Sequence, residues 1–307
     1  MKKASPLLSV NLLLFAASSL FSEPSCPGDV ASVRYHSLGR SQIAIPVTIN
    51  GSGPYEFMVD TGSQLTVIDP ALASQLRLES EGSTGLTAVS SSLQAQLVMP
   101  ETVEAASHSV SRLLVAVSSM GQIQATYPNV QGILGETFLA HFDLLIDYGH
   151  KILCIDDGSR LREALRGERI PLQAQADRRS DIRFPQPYLI SAHLPGSGKQ
   201  NRLLWLDSGT EVALVYDDFG DAISDSIFWK GDRLTAQGTS AVAGKQSLRV
   251  LAPEDVTIGS TLLPAIVFVT PLGKSRVRHR EDGLLPTALF HRVFLSYAEH
   301  FAVLDPK

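Results

Sequence analysis

The strongest constraint on this sequence is a short motif that occurs twice. Residues 57–68 read FMVDTGSQLTVI, and residues 203–215 read LLWLDSGTEVALV. Each copy places an aspartate, Asp60 or Asp207, in a run of strand-forming apolar residues, and a hydroxyl residue, a glycine and a second hydroxyl residue follow. Burying a carboxylate in such a run is costly unless hydrogen bonds satisfy it. The two aspartates are therefore candidates for chemistry or for a structural hydrogen-bond network.

The residues before Asp60 predict a β-hairpin. Residues 43–59 predict two strands joined by a turn at residues 50–54, where glycine and proline cluster. Asp60 then lies where the second strand breaks into a loop, and Gly62 lets the backbone turn without a Cβ clash. A short helix is predicted over residues 70–78.

The order of these features repeats in the second half of the chain. A hairpin again leads to the aspartate, and later apolar segments recur in the same order. Residues 98–117 of the first half correspond to 250–269 of the second, 132–134 correspond to 283–285, and 148–155 correspond to 297–304. A whole ordered series repeats by chance far less readily than one short motif. We therefore expect a first lobe over residues 30–157, a linker over residues 158–183 and a second lobe over residues 184–307.

The duplicated loops resemble those of aspartic proteases of the pepsin and retropepsin type. The matching residues are Asp60-Thr61-Gly62-Ser63, Asp207-Ser208-Gly209-Thr210 and a downstream Ile133-Leu134-Gly135. The resemblance covers roughly residues 42–306, and each half has the size of one retropepsin unit. It implies a mostly β, bilobal acid-protease fold with two pseudo-symmetric β-barrel-like lobes. Each lobe would contribute one aspartate at a two-fold axis.

The resemblance also implies a role for each loop residue. Asp60 and Asp207 would form the catalytic dyad. The residues that would support the two loops are Thr61, Gly62, Ser63, Ser208, Gly209 and Thr210. Of these, Thr61 and Ser208 would bond across the lobe interface, and Ser63 and Thr210 would bond the outer carboxylate oxygens. Gly135 would let its strand pass close behind the first loop.

Such a pair of carboxyls has a defined chemistry. Two carboxylates held close together share one proton, and their titration belongs to the pair. The charged member can activate a water while the neutral member protonates the peptide carbonyl. We therefore expect an endopeptidase that acts at acid pH on extended peptides or proteins, with no cofactor and no metal. The resemblance also implies that the segments 84–96 and 235–245 are flap candidates over the cleft, and it leaves open which lobe carries a working flap.

Pro286 is the main departure from the family pattern. It stands where the first half has Gly135, and proline fixes φ and removes an amide donor. We therefore expect a distortion behind the second loop. Two alternatives follow, namely a non-catalytic peptide-binding relative with a decayed second lobe, and a homodimeric protease that uses Asp60 from each chain. The expected enzyme is instead a monomer with an internal pseudo-dimer.

The ends and the composition add cellular expectations. Residues 1–22 have the pattern of a signal peptide, with two lysines followed by an apolar run, which predicts a secreted or periplasmic protein. An uncleaved membrane anchor is the alternative. Cys26 and Cys154 either pair in an oxidising compartment or are unrelated thiols. The net charge of −5, without a basic patch interleaved with aromatics, predicts no nucleic-acid partner.

Overall fold

The protein is mostly β in the computed structural model, with two large sheets, as expected for a bilobal acid-protease fold. The structure describes residues 25–87, 92–174, 187–195, 201–216, 235–240, 244–272 and 279–307. The predicted signal peptide lies outside these residues. Among the residues that are described, no helix is long and apolar enough to cross a membrane.

In the described residues of the first half, up to residue 164, there are thirteen strands and four short α-helices. The strands are β1 (Ala31–Arg34), β2 (His36–Leu38), β3 (Gln42–Ile49), β4 (Ser52–Val59), β5 (Thr66–Ile68), β6 (Ser80–Thr87), β7 (Ser92–Val98), β8 (Thr102–Ala105), β9 (His108–Ser111), β10 (Val115–Val117), β11 (Val130–Leu134), β12 (Asp143–Asp147) and β13 (Ile152–Asp156). The helices are α1 (Pro70–Gln75), α2 (Gly121–Gln124), α3 (Glu136–Leu139) and α4 (Arg160–Ala164). The predicted helix forms as α1, and the Asp69 side chain caps it by accepting from the Ala71 N–H at 2.9 Å.

The second half follows the same order of strands. They are β14 (Ile170–Ala174), β15 (Tyr188–Ala192), β16 (Arg202–Asp207), β17 (Ala213–Val215), β18 (Thr235–Ser240), β19 (Gly244–Ile258), β20 (Thr261–Pro271), β21 (Gly283–Pro286), β22 (Phe290–Ser296) and β23 (Phe301–Pro306). Short 3-10 turns cover Pro27–Asp29 and Thr287–Leu289. Residues 158–174, within the expected linker, contain α4 and β14 and thus have regular structure.

The sheet order has an internal two-fold symmetry. The first half has the order β6-β7-β10-β5-β11-β4-β3, and the second half has β18-β19-β20-β17-β21-β16-β15. Each strand occupies the position of its counterpart, so the repeated sequence produces a repeated topology. Both sheets follow an open path and neither closes into a barrel within the described ranges, which corrects the barrel-like description of the lobes.

One end of the larger, 13-stranded sheet joins the two halves. Its strands run in the order β1-β13-β12-β22-β23-β14, so that β12 of the first half forms an antiparallel pair with β22 of the second half. Leu145 lies opposite Phe294 in this pair, and both side chains are buried. The near-continuous apolar sequence of these strands is typical of a sheet covered on both faces. This sheet fixes the position of one half against the other.

The two cysteines form a disulfide, which settles the open question of their pairing. Cys26 precedes β1, and Cys154 lies within β13. Both are buried in an apolar cluster with Leu161 of α4. The bond ties the N-terminal segment to the sheet that joins the two halves.

Candidate active site

Two equivalent strands deliver the two aspartates. Strand β4 ends at Val59, so that Asp60 is the first loop residue, while Asp207 is the last residue of β16. A parallel strand supports each of them, with Leu134 of β11 beside Val59 and Pro286 of β21 beside Asp207. We call residues 60–63 and 207–210 the two Asp loops. The hairpins expected from the sequence thus bring the loops to equivalent places.

The structure brings the two carboxyl groups together. The side chains of Asp60 and Asp207 hydrogen-bond each other. Each carboxyl also accepts from the glycine N–H two residues on, at 2.9 Å from Gly62 to Asp60 and at 2.7 Å from Gly209 to Asp207. The two loops therefore hold their carboxyls with the same local geometry.

Both glycines of the loops lie in close contact with the opposite aspartate. A Cβ on Gly62 would lie 2.4 Å from Cγ of Asp207, and a Cβ on Gly209 would lie 2.4 Å from Cγ of Asp60. No side chain fits at such distances. Glycine is therefore required at both positions for the carboxyls to approach each other.

Four hydrogen bonds connect the loops across the two-fold axis. The Thr61 hydroxyl donates to the Leu206 carbonyl at 2.7 Å and accepts from the Ser208 N–H at 3.0 Å. In the equivalent, two-fold-related arrangement, the Ser208 hydroxyl donates to the Val59 carbonyl at 2.9 Å and accepts from the Thr61 N–H at 3.1 Å. Both hydroxyl residues are 1% exposed. We call these four bonds the inter-loop network, and they match the bonding across the interface expected for Thr61 and Ser208.

Ser63 and Thr210 differ from the expectation. Their hydroxyls donate to backbone carbonyls two residues on, Ser63 to Leu65 at 2.8 Å and Thr210 to Val212 at 3.1 Å. The Ser63 N–H donates to the Asp60 backbone carbonyl at 3.2 Å, and the backbone N–H groups of Ser63 and Thr210 lower the pKa of the Asp60 and Asp207 carboxyls respectively. Serine and threonine hydroxyls commonly bond to nearby backbone in this way. The two residues thus support the loops through their backbone.

Burial sets the protonation of the pair. It raises the pKa of both carboxyls, and the charge of Asp60 raises the pKa of Asp207 further. Asp207 is 6% exposed, whereas Asp60 is partly accessible and so keeps more solvent contact. Because the ionised form prefers the better solvated site, Asp60 carries the charge and Asp207 holds the shared proton.

Pro286 does not distort the second loop, contrary to the expectation from the sequence. In the first half, the Gly135 N–H donates to the Thr66 hydroxyl at 3.2 Å, and a Cβ on Gly135 would lie 2.3 Å from the Leu65 carbonyl oxygen. In the second half, Ala213 occupies the position of Thr66. The missing N–H of Pro286 therefore leaves no hydroxyl without its donor. The two substitutions compensate each other.

The sequence interpretation missed further contacts around the loops. The Gln42 side-chain amide donates to the Gly209 carbonyl at 2.5 Å, and the Ser41 hydroxyl donates to the Thr210 carbonyl at 3.1 Å. No sequence pattern identifies these two residues. It also missed Glu136, a buried residue at the start of α3. A carboxylate within an apolar run, as at residues 132–142, was the signal that could have found it.

The candidate flaps are hairpins at equivalent positions. Strands β6 and β7 form one, and β18 and the start of β19 form the other. Residues 88–91 and 241–243, between the paired strands, lie outside the described residues. Within the described part of the chain, no group of three or more histidine, cysteine or acidic residues could hold a metal ion.

Comparison with known proteins shows that the region around the first Asp loop is similar to an aspartyl protease. Residues 45–138 match the family model described as aspartyl protease, and this range contains Asp60 and Gly135. A search of curated proteins found no match. The second loop lies outside the matched range, but its strands and contacts repeat those of the first. The matched range is thus similar to the aspartyl protease family, and the match supports an aspartic protease of the pepsin and retropepsin type.

Proposed function

We propose that the protein is an aspartic endopeptidase in which Asp60 and Asp207 of one chain form the catalytic dyad. The observation that carries this proposal is the hydrogen-bonded pair of carboxyls, each held by a glycine N–H. The family match over residues 45–138 supports peptide hydrolysis in general. The assignment of the dyad is our own inference.

The charges of the dyad suggest how the reaction proceeds. The Asp60 carboxylate takes a proton from a water between the two groups, and the oxygen of this water attacks the peptide carbonyl carbon. Asp207 gives its proton to the carbonyl oxygen, so that a neutral tetrahedral diol forms. The proton held by Asp60 then moves to the nitrogen while a diol hydroxyl returns its proton to Asp207. The C–N bond breaks, and an acid and an amine leave without a covalent acyl-enzyme.

The proposed substrate is a peptide or protein segment in extended conformation. An extended segment can add main-chain hydrogen bonds to a hairpin edge, while its side chains alternate into pockets. The two equivalent hairpins, β6–β7 and β18–β19, are the candidates for this contact. No metal or cofactor enters the proposed reaction.

We also propose export and a monomeric enzyme. The pattern of residues 1–22 supports secretion or transfer to the periplasm, and the Cys26–Cys154 disulfide fits an oxidising compartment. The four bonds of the inter-loop network support pairing within one chain over a homodimer with two copies of Asp60. Because Ala213 compensates for the missing N–H of Pro286, this proline is no longer an argument that the second half has lost its catalytic role.

Cleavage of a peptide library tests the proposal. Wild-type protein is incubated with the library from about pH 3 to about pH 8, and the products are identified by mass spectrometry. Asp60→Asn serves as the test variant, and Asp157→Asn, which changes an exposed aspartate after β13, serves as the matched control. We expect cleavage at acid pH by wild type and Asp157→Asn, and none by Asp60→Asn. A folded wild-type protein that cleaves no peptide at any pH would overturn the proposal.

A further inference from the structure

A third buried carboxyl lies directly behind the first Asp loop. Glu136 opens α3, its backbone N–H donates to the Ser63 carbonyl at 2.8 Å, and the residue is 1% exposed. The indole of Trp205 hydrogen-bonds its carboxyl. The Oε2 atom, in contrast, is buried and has no hydrogen-bond partner among the described residues. A buried polar atom of this kind requires an explanation, because native structures rarely leave one unpaired.

A small cavity lies against this carboxyl. Its volume is about 10 Å³, which is the space that one water molecule needs. Its wall is largely apolar, and the lining residues that carry a polar group are Glu136, Thr61, Tyr188, Trp205 and Tyr297. Leu206 also borders the cavity, so that both partners of the Thr61–Leu206 hydrogen bond line it. The cavity therefore connects Glu136 with the inter-loop network.

The equivalent place in the second half holds no carboxyl. Thr287 follows Pro286 as Glu136 follows Gly135, and the Thr287 hydroxyl hydrogen-bonds the Tyr148 hydroxyl directly at 2.6 Å. A threonine hydroxyl keeps its proton throughout the working range of a protein, whereas a carboxyl can lose it. At this position, the Asp60 side of the site thus has a group that can change charge, whereas the Asp207 side has a threonine.

Among the groups that face Glu136, the carboxylate of Asp60 opposes its ionisation, whereas the hydrogen bond from the Trp205 indole favours it. The hydroxyls of Tyr188 from β15 and Tyr297 from the turn after β22 also face it, and the negative charge of an ionised Glu136 raises the pKa of both tyrosines. No cationic side chain is among the residues that line the cavity. Burial and the Asp60 charge raise the pKa of Glu136 well above that of an ordinary glutamate. The neutral acid is therefore the form that fits the folded site, and it can donate a hydrogen bond.

We propose that Glu136 is a positioning residue for the dyad, whose protonated carboxyl donates to one water held in this cavity. Loss of that proton at higher pH places a buried negative charge with no cationic neighbour in the cavity beside Asp60 and the inter-loop network, and this ends activity. The catalytic part of this inference rests on the proposed peptidase function. The binding of the water and the effect of the charge on the fold do not depend on it.

Glu136→Gln tests the effect of the charge by itself, because glutamine keeps the shape of the side chain and a hydrogen-bond donor but cannot lose a proton. The matched control is Glu104→Gln, which makes the same change on an exposed residue of β8. Both variants and wild type are compared from about pH 3 to about pH 8 in peptide cleavage and in thermal unfolding. A crystal structure at acid pH tests for one ordered water at Oε2 of Glu136.

We expect Glu136→Gln to cleave at the acid optimum within about threefold of wild type, and its alkaline limb to move up by at least about 0.5 pH unit. Its unfolding temperature should exceed that of wild type by a margin that grows with pH, and Glu104→Gln should match wild type in both assays. Superimposable pH profiles, or no ordered water at Oε2, would overturn the inference. If no form of the protein cleaves peptides, the proposed function fails, and the unfolding temperatures alone decide the role of Glu136.

Discussion

Replacing Thr61 with valine tests whether the inter-loop network holds the two halves in register. Valine keeps the branched shape of threonine but lacks the hydroxyl. In wild type the Thr61 hydroxyl bonds the Leu206 carbonyl at 2.7 Å and the Ser208 N–H at 3.0 Å, and the change removes this partner from both groups. A buried group that loses its partner costs about 1–3 kcal/mol. We therefore expect Thr61→Val to lower the free energy of unfolding by about 2–6 kcal/mol.

Equilibrium unfolding in urea measures this free energy. Thr126→Val, which changes an exposed threonine after α2, is the control, and we expect it to shift the free energy by less than about 0.5 kcal/mol. A double-mutant cycle with Ser208→Ala adds a second criterion. Because the two residues bond each other's backbone, we expect a coupling of about 0.5–3 kcal/mol. A loss below about 0.5 kcal/mol for Thr61→Val, or strict additivity in the cycle, would refute the reasoning.

Three further predictions concern the site and its surroundings. Asp207→Asn should stabilise the fold relative to wild type by a margin that grows from about pH 4 to about pH 7. The raised pKa of Asp207 lets the folded wild type hold a proton that the unfolded state releases, so the free energy of unfolding of wild type falls by up to about 1.4 kcal/mol per pH unit. Thermal unfolding against pH measures the margin, and a margin that shrinks with pH contradicts the prediction. Gly62→Ala should lower kcat/KM by about 100-fold or more, because its Cβ would meet the Asp207 carboxyl, and near wild-type kinetics would refute this steric argument. Replacing both disulfide cysteines with serine should lower the free energy of unfolding by about 2–5 kcal/mol in urea titrations, and an unchanged midpoint would contradict the proposed contribution of the bond.

The sequence was sufficient for the features that depend on local pattern. Alternating and apolar runs predicted the hairpin before Asp60, and the repeated order of segments predicted that Asp207 would occupy an equivalent loop. The resemblance then supplied the roles of the loop residues. The bonding of Thr61 and Ser208 across the two-fold axis followed from it and agrees with the structure.

Features that depend on pairs of distant residues could not be predicted in this way. Pro286 appeared to be a defect because the sequence does not show that Ala213 removes the hydroxyl which the missing N–H would otherwise serve. The predicted hydrogen bonds from the Ser63 and Thr210 hydroxyls to the carboxylates were wrong, because a backbone carbonyl two residues on accepts from each hydroxyl instead. The position of Glu136 beside Trp205 requires the packing of one half against the other, and no local pattern specifies it.

Peptide cleavage by Asp207→Asn at several protein concentrations tests the central claim most directly. The two aspartates of one chain form the dyad in our account, so we expect this variant to lose activity at every concentration, as Asp60→Asn does. Its unfolding must show that it remains folded. Activity that survives in Asp207→Asn and rises with protein concentration would contradict the account, because it would mean that Asp60 pairs with Asp60 of a second chain.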